Sequence, residues 1–97
     1  MTKAVLVGVD FGKGDFDASL EELALLARSA GAVPVFTVTA KRSSPDAAFY
    51  IGSGKVDEIS QAVHLYNADL VIFNHALSPA QQRNLEKRLN INLVDRT

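Results

Sequence analysis

The sequence predicts an α/β domain: a four-stranded parallel sheet flanked by three helices. Three observations predict it. Short apolar, valine-rich runs recur along the chain, amphipathic stretches with helical spacing separate them, and capping signals mark the joins. The 97 residues fit one domain with one hydrophobic core, and the 47% hydrophobic and 22% charged fractions are those of an ordinary globular protein. The order reads β-α-β-α-β-α-β, and near-continuous apolar strands imply a sheet covered on both faces. Right-handed crossovers leave few topologies, of which 2-1-3-4 is the expected one.

Residues 3–9, KAVLVGV, form the first strand, and the polar, glycine-containing DFGKGDFD that follows is a loop. SLEELALLARSAG is the first helix. Ser19 and Glu22 have capping-box spacing, Asp17 is a rival cap, Leu20, Leu23, Ala24 and Ala27 make one apolar stripe, and Gly31 is a left-handed stop. VPVFTVT, 33–39, is the second strand. Pro34 lacks an N–H and puts that strand on an edge. Residues 55–66 form the second helix, with Val56, Ile59, Val63 and Tyr66 on one face and Asn67 at its end. DLVIFN, 69–74, is the third strand. In SPAQQRNLEKRL, 78–89, Ser78 caps the third helix, Pro79 takes its first position and Gln81 completes a capping box. INLV, 91–94, is the fourth strand.

The net charge of −1 argues against a general nucleic-acid coat or a polybasic membrane anchor, though it leaves room for a local basic patch. With no cysteine there is no disulfide or thiolate chemistry. The N-terminal apolar run is broken at Asp10, too early for a signal peptide or membrane span, so membrane insertion is not expected and a cytoplasmic location is. No metal site is expected from paired histidines or a cysteine set, and no catalytic residue is assigned. His64 lies at the margin of an apolar face, and His75 has no serine or cysteine partner. Asp10 and Asp95, both at strand ends, are a candidate pair for magnesium held with a ligand's phosphates.

The stretch KRSSPDAAFYIGSGK, 41–55, carries the chemistry. Gly54-Lys55 matches the tail of a phosphate-binding P-loop, but Phe49 stands where its first glycine belongs and Val56 where its hydroxyl belongs. The dinucleotide fingerprint fails on the spacing of Gly8, Gly12 and Gly14. Gly52, Ser53 and Gly54 lead into a helix N-terminus, where free amides attract anions and Lys55 adds charge; the plainer reading is a tight turn with Ser53 as cap. Lys41, Arg42 and Lys55 flank one loop and can contact an RNA backbone, with Phe49 and Tyr50 either stacking on unpaired bases or packing into the core.

The blocks AVLVGVDFG, SLEELALLARSAGA, TVTAKRSSPDAAFYIGSGKVDEI, ADLVIFNHALSPAQQRNLEKRL and INLVDRT cover nearly the whole chain. In order and spacing they resemble the N-terminal domain of the HflX family of ribosome-associated GTPases. Ala47 stands where that family often has proline after S-P-D. The resemblance implies that residues 1–97 are the N-terminal part of a longer GTPase, with a helical linker and a G domain outside it. GTP and Mg2+ then belong to that G domain and no cofactor to this segment, which is not itself an enzyme. The partners implied are the large ribosomal subunit with its rRNA, and the G domain in cis; the activity implied is dissociation or rescue of stalled ribosomes. Lys41, Arg42 and Lys55 become expected rRNA backbone contacts, with Ser43 and Ser44 as hydrogen-bond donors. Arg83, Lys87 and Arg88 form a second basic group that contacts RNA or is a solvated helix face. The competing expectation is a free-standing ATP-binding domain that uses Gly52, Ser53, Gly54 and Lys55 at the carboxyl edge of the sheet.

Overall fold

The computed structural model describes residues 1–96; Thr97, the last residue of the INLVDRT block, lies outside them. The elements run β1 (Thr2–Asp10), α1 (Phe16–Ser29), β2 (Ala32–Lys41), α2 (Ser53–Tyr66), β3 (Leu70–Phe73), α3 (Pro79–Leu89) and β4 (Asn92–Val94). All pairings are parallel, in the predicted order β2-β1-β3-β4.

Crossover handedness then fixes the layers. The β1-to-β2 connection travels one way across the sheet, while β2-to-β3 and β3-to-β4 travel the other. Right-handed crossovers therefore place α1 on one face and α2 with α3 on the opposite face. Strand alternation supplies a core to each. Val5, Val7 and Val9 of β1 join Val71, Phe73 and Leu93 against Val56, Ile59, Leu85 and Leu89 of α2 and α3. Ala4, Leu6 and Ile72 face Leu23 and Ala27 of α1. Gly8 lets α1 approach: a Cβ there would lie 2.4 Å from Leu20 Cδ2.

Two helix starts differ from the sequence reading. α1 begins at Phe16 with Asp15 as its cap, accepting from the Ala18 amide at 3.1 Å. Ser19 and Asp17 lie inside the helix, and Ser19 Oγ instead accepts from Asn74 Nδ2 at 3.0 Å. α2 starts two residues earlier than expected. Ser53 is its first residue and does not cap it; Gly52 occupies the cap position and no side chain caps the helix. The glycines of that segment make no left-handed turn, a role that falls to Tyr50 with φ of 70°. The α3 box is as predicted: Ser78 Oγ accepts from the Gln81 amide at 3.1 Å and Gln81 Oε1 from the Ser78 amide at 2.9 Å. Asn67, Asn90 and Gly31 take the left-handed conformation at the helix ends. Pro34 sits on edge strand β2, beside a register irregularity between Ala4 and Val5. No helix among the described residues is long and apolar enough to cross a membrane.

Candidate nucleic-acid interface

In a parallel sheet of this order the crevice that usually receives a ligand opens between the carboxyl ends of β1 and β3, where the winding direction reverses. Here side chains fill it. Phe11 meets His75 edge-to-face at 5.0 Å between centroids and Tyr50 at 5.8 Å, and Tyr50 also meets Phe73 at 6.4 Å. Beneath them Asn74, 2% exposed, stitches the strand ends together: its Oδ1 accepts from the Val9 amide at 2.9 Å. His75 Nε2 pairs with the Val9 carbonyl at 3.0 Å.

The segment between β2 and α2 is built as a frame. Asp46 and Tyr50 exchange both backbone hydrogen bonds, at 2.9 and 3.0 Å, closing a small antiparallel bridge. Asp46 Oδ2 accepts from the amides of Phe49 at 2.9 Å and Ala48 at 3.0 Å. Those two amides, aided weakly by Arg42, hold the Asp46 carboxyl below its ordinary value of 3.8. From α3, Gln81 Nε2 donates to the Asp46 carbonyl at 2.9 Å and Asn84 Nδ2 to the Ala48 carbonyl at 3.0 Å. Tyr50, 8% exposed, anchors the frame in the core, and burial pushes its phenol pKa up. Phe49 packs partly against the same core, so both rings expected as possible base platforms serve the interior.

The frame brings Lys41, Arg42, Gly52, Gly54 and Lys55 to the wall of one open groove of about 470 Å³, together with Asp57 and Glu58. The three predicted cations differ in availability. Lys55 Nζ is paired with Glu58 at 3.0 Å. Arg42 donates through Nε to the Ser44 carbonyl at 3.3 Å and acts weakly on the Asp46 carboxylate, and it is in no salt bridge among the described residues. A Cβ on Gly52 would stand 3.1 Å from Arg42 Nη1, so the glycine lets the guanidinium lie over the start of α2. Lys41 is exposed, with no acidic partner among the described residues. Ser43, Ser44, Ser53 and Gly54 are exposed, and the first-turn amides of α2 carry no side-chain cap.

The second basic group divides. Arg88 pairs with Asp57 of α2, an exposed pair like that of Lys55 with Glu58. Arg83 and Lys87 are exposed and lie opposite the buried Leu85 and Leu89 on α3. Asp10 and Asp95 do not form a pair. Asp10 Oδ1 accepts from the Gly12 amide and Asp95 Oδ2 from the Leu77 amide, each at 2.8 Å. With β3 between their strands the backbones stand roughly 10 Å apart. No cluster of metal-ligating side chains occurs among the described residues. Sequence reasoning gave Asn74 no hydrogen-bonding role, and passed over the second role of Gln81 and Phe11. For Phe11 there was a signal: an aromatic residue immediately after a central strand, in an otherwise polar loop.

The fold and this rim define a parallel α/β domain with aromatic side chains at its usual ligand crevice and a cationic edge beside them. The family described as "GTP-binding GTPase N-terminal" matches residues 17–97. The chain belongs to that family, the N-terminal domain of HflX-type GTPases. It is 40% identical over 95 residues to the GTPase HflX of Escherichia coli, an alignment covering 98% of this chain and 22% of that protein. It is also 40% identical to the GTPase HflX of Alkalihalophilus pseudofirmus, covering 96% of this chain and 22% of that one. The chain thus spans about a fifth of the length of these relatives. Among solved structures, a GTP-binding protein from the archaeon Sulfolobus solfataricus in complex with GDP shares the fold at a TM-score of 0.70 and 23% identity, covering 98% of this chain and 27% of that one.

Proposed function

We propose that this domain is the ribosome-contacting, rRNA-binding part of an HflX-type GTPase that binds the large ribosomal subunit and helps dissociate or rescue stalled ribosomes. GTP hydrolysis, with its Mg2+, belongs to a G domain in cis, and a cytoplasmic, ribosome-associated location goes with this reading. The observation that carries it is the Lys41–Arg42 pair. Two adjacent cations, neither in a salt bridge among the described residues, stand on a hydrogen-bonded frame beside the uncapped first turn of α2. Phosphodiester oxygens fit such an edge: they accept from guanidinium, ammonium, serine hydroxyl and free amide alike. Lys55 contributes less than its position in the sequence implies, because Glu58 competes for it.

The alternative, ATP bound at the carboxyl edge, keeps the uncapped α2 turn in its favour. The packing of Phe11, Tyr50 and His75 at the β1/β3 crevice weighs against it, since those rings occupy part of the switch point. The test is co-sedimentation of the domain with purified large subunits across a salt series, beside a Lys41→Ala/Arg42→Ala/Lys55→Ala variant. Salt-sensitive binding that the variant loses is expected. Equal binding by both proteins would take this loop out of the interface. Saturable ATP binding lost in Lys55→Ala alone would favour the alternative.

A further inference from the structure

We propose that the rim takes an unpaired RNA nucleotide, with Phe11 as the platform for its base and Lys41 and Arg42 as the clamp on its phosphate. This rests on the RNA reading above and names the part of the RNA that the edge recognises. Phe11 packs partly against the core, as Phe49 does, and is the aromatic ring that lines the cationic edge beside Lys41 and Arg42. It lies half-buried in a second depression, of about 400 Å³, lined by Asp10, Phe11, Gly12, Lys41, Arg42 and Ser43.

Lys41 and Arg42 line both this depression and the groove beside α2, so they form a ridge between the two. The two sides differ in chemistry. On the α2 side lie Lys55 and a helix start with no side-chain cap, which suit phosphate. On the Phe11 side lie an aromatic ring and the Asp10 carboxylate, which repels phosphate but accepts from the amino or imino groups of a base. A chain crossing the ridge therefore places backbone on one side and a base on the other. The platform is held before any ligand arrives. Tyr50 and His75 brace the Phe11 ring, and the Arg42 amide donates to the Asp10 carbonyl at 2.9 Å, tying the two loops together. The Gly12 amide on Asp10 Oδ1 fixes the turn after the ring, at φ of 78°. A preorganised ring loses little freedom on stacking. A paired base lies inside its helix and cannot reach such a platform, which is why the ligand is an unpaired nucleotide.

The chain has no tryptophan, so Phe11→Trp introduces a single fluorophore at the platform. The probes are a short single-stranded RNA and a hairpin duplex of the same composition. Expected results are saturable quenching of Phe11→Trp by the single strand and not by the duplex, and about tenfold weaker single-strand binding by Phe11→Leu. Lys41→Ala/Arg42→Ala should weaken both probes. Thermal melts establish that each variant is folded; if Phe11→Leu is not, the quenching decides. Parent-like single-strand binding by Phe11→Leu without quenching of Phe11→Trp, while Lys41→Ala/Arg42→Ala still loses RNA, would overturn the base platform and leave the RNA reading standing. Equal weakening of both probes by Phe11→Leu would overturn it too, since the ring would then only support the rim. A parent that binds neither RNA nor large subunits would overturn the RNA reading, and this inference with it.

Discussion

Two connections leave the same rim of the sheet, and they treat their polar groups in opposite ways. The link from β3 to α3 is short and internally closed. Asn74 and His75 bind Val9, the Leu77 amide meets Asp95, and Ser78 and Gln81 cap each other. The link from β2 to α2 satisfies its own frame through Asp46 but leaves Lys41, much of Arg42 and the first turn of α2 to the outside. Groups satisfied within the protein contribute to stability; groups held rigidly and left unsatisfied are available to a partner. Under the proposed function, the closed link serves structure and the open one recognition.

The largest effect should come from breaking the closed link. Asn74→Ala strands the buried Val9 amide and opens a hole, at a cost of about 2–3 kcal/mol, read as a lower urea midpoint followed by circular dichroism. Ser78→Ala, which removes one half of the box, should cost about 1 kcal/mol in the same assay. In the open link, Lys41→Ala/Arg42→Ala should leave the urea midpoint nearly unchanged and weaken RNA binding about tenfold or more at low salt. Asp46 sharpens the contrast through pH. Its folded pKa lies below the ordinary 3.8, so its contribution is present above that value and is lost as pH falls through the folded pKa. Amide exchange at Ala48 and Phe49 should therefore lose protection on acidification below about pH 4, before the β-sheet amides do. A small effect of opposite sign belongs to Gly52→Ser. The extended backbone at that position, φ −68° and ψ 154°, accepts a capping serine, which should stabilise α2 by a few tenths of a kcal/mol. The same hydroxyl would occupy a first-turn amide, so RNA binding should fall slightly as stability rises.

The fold was legible because its signals are local and agree with one another. Valine-rich strands, the Ser78-Pro79-Gln81 start and the Asn67 stop each specify their element, and Pro34 identifies the edge strand. Where two caps competed, spacing misled: Ser19 and Glu22 match a box, yet Asp15 caps α1 and the Ser19 hydroxyl serves Asn74, far away in sequence. The site was legible as a composition of cations and illegible as a geometry. The Lys55–Glu58 pair is three residues apart on α2 and was readable from spacing; nothing local tells that Asp57 takes Arg88, or that Gln81 and Asn84 brace the loop from α3. These are contacts between elements, set by topology.

The most direct test of the contrast is the salt dependence of single-stranded RNA binding, compared between parent, Lys41→Ala/Arg42→Ala and Arg83→Ala/Lys87→Ala. Each phosphate contact contributes about 0.7 to the slope of log affinity against log salt. The account predicts a slope shallower by about 1.4 for the first variant and unchanged for the second. An unchanged slope in Lys41→Ala/Arg42→Ala with a loss in Arg83→Ala/Lys87→Ala would contradict it and move recognition to the outer face of α3.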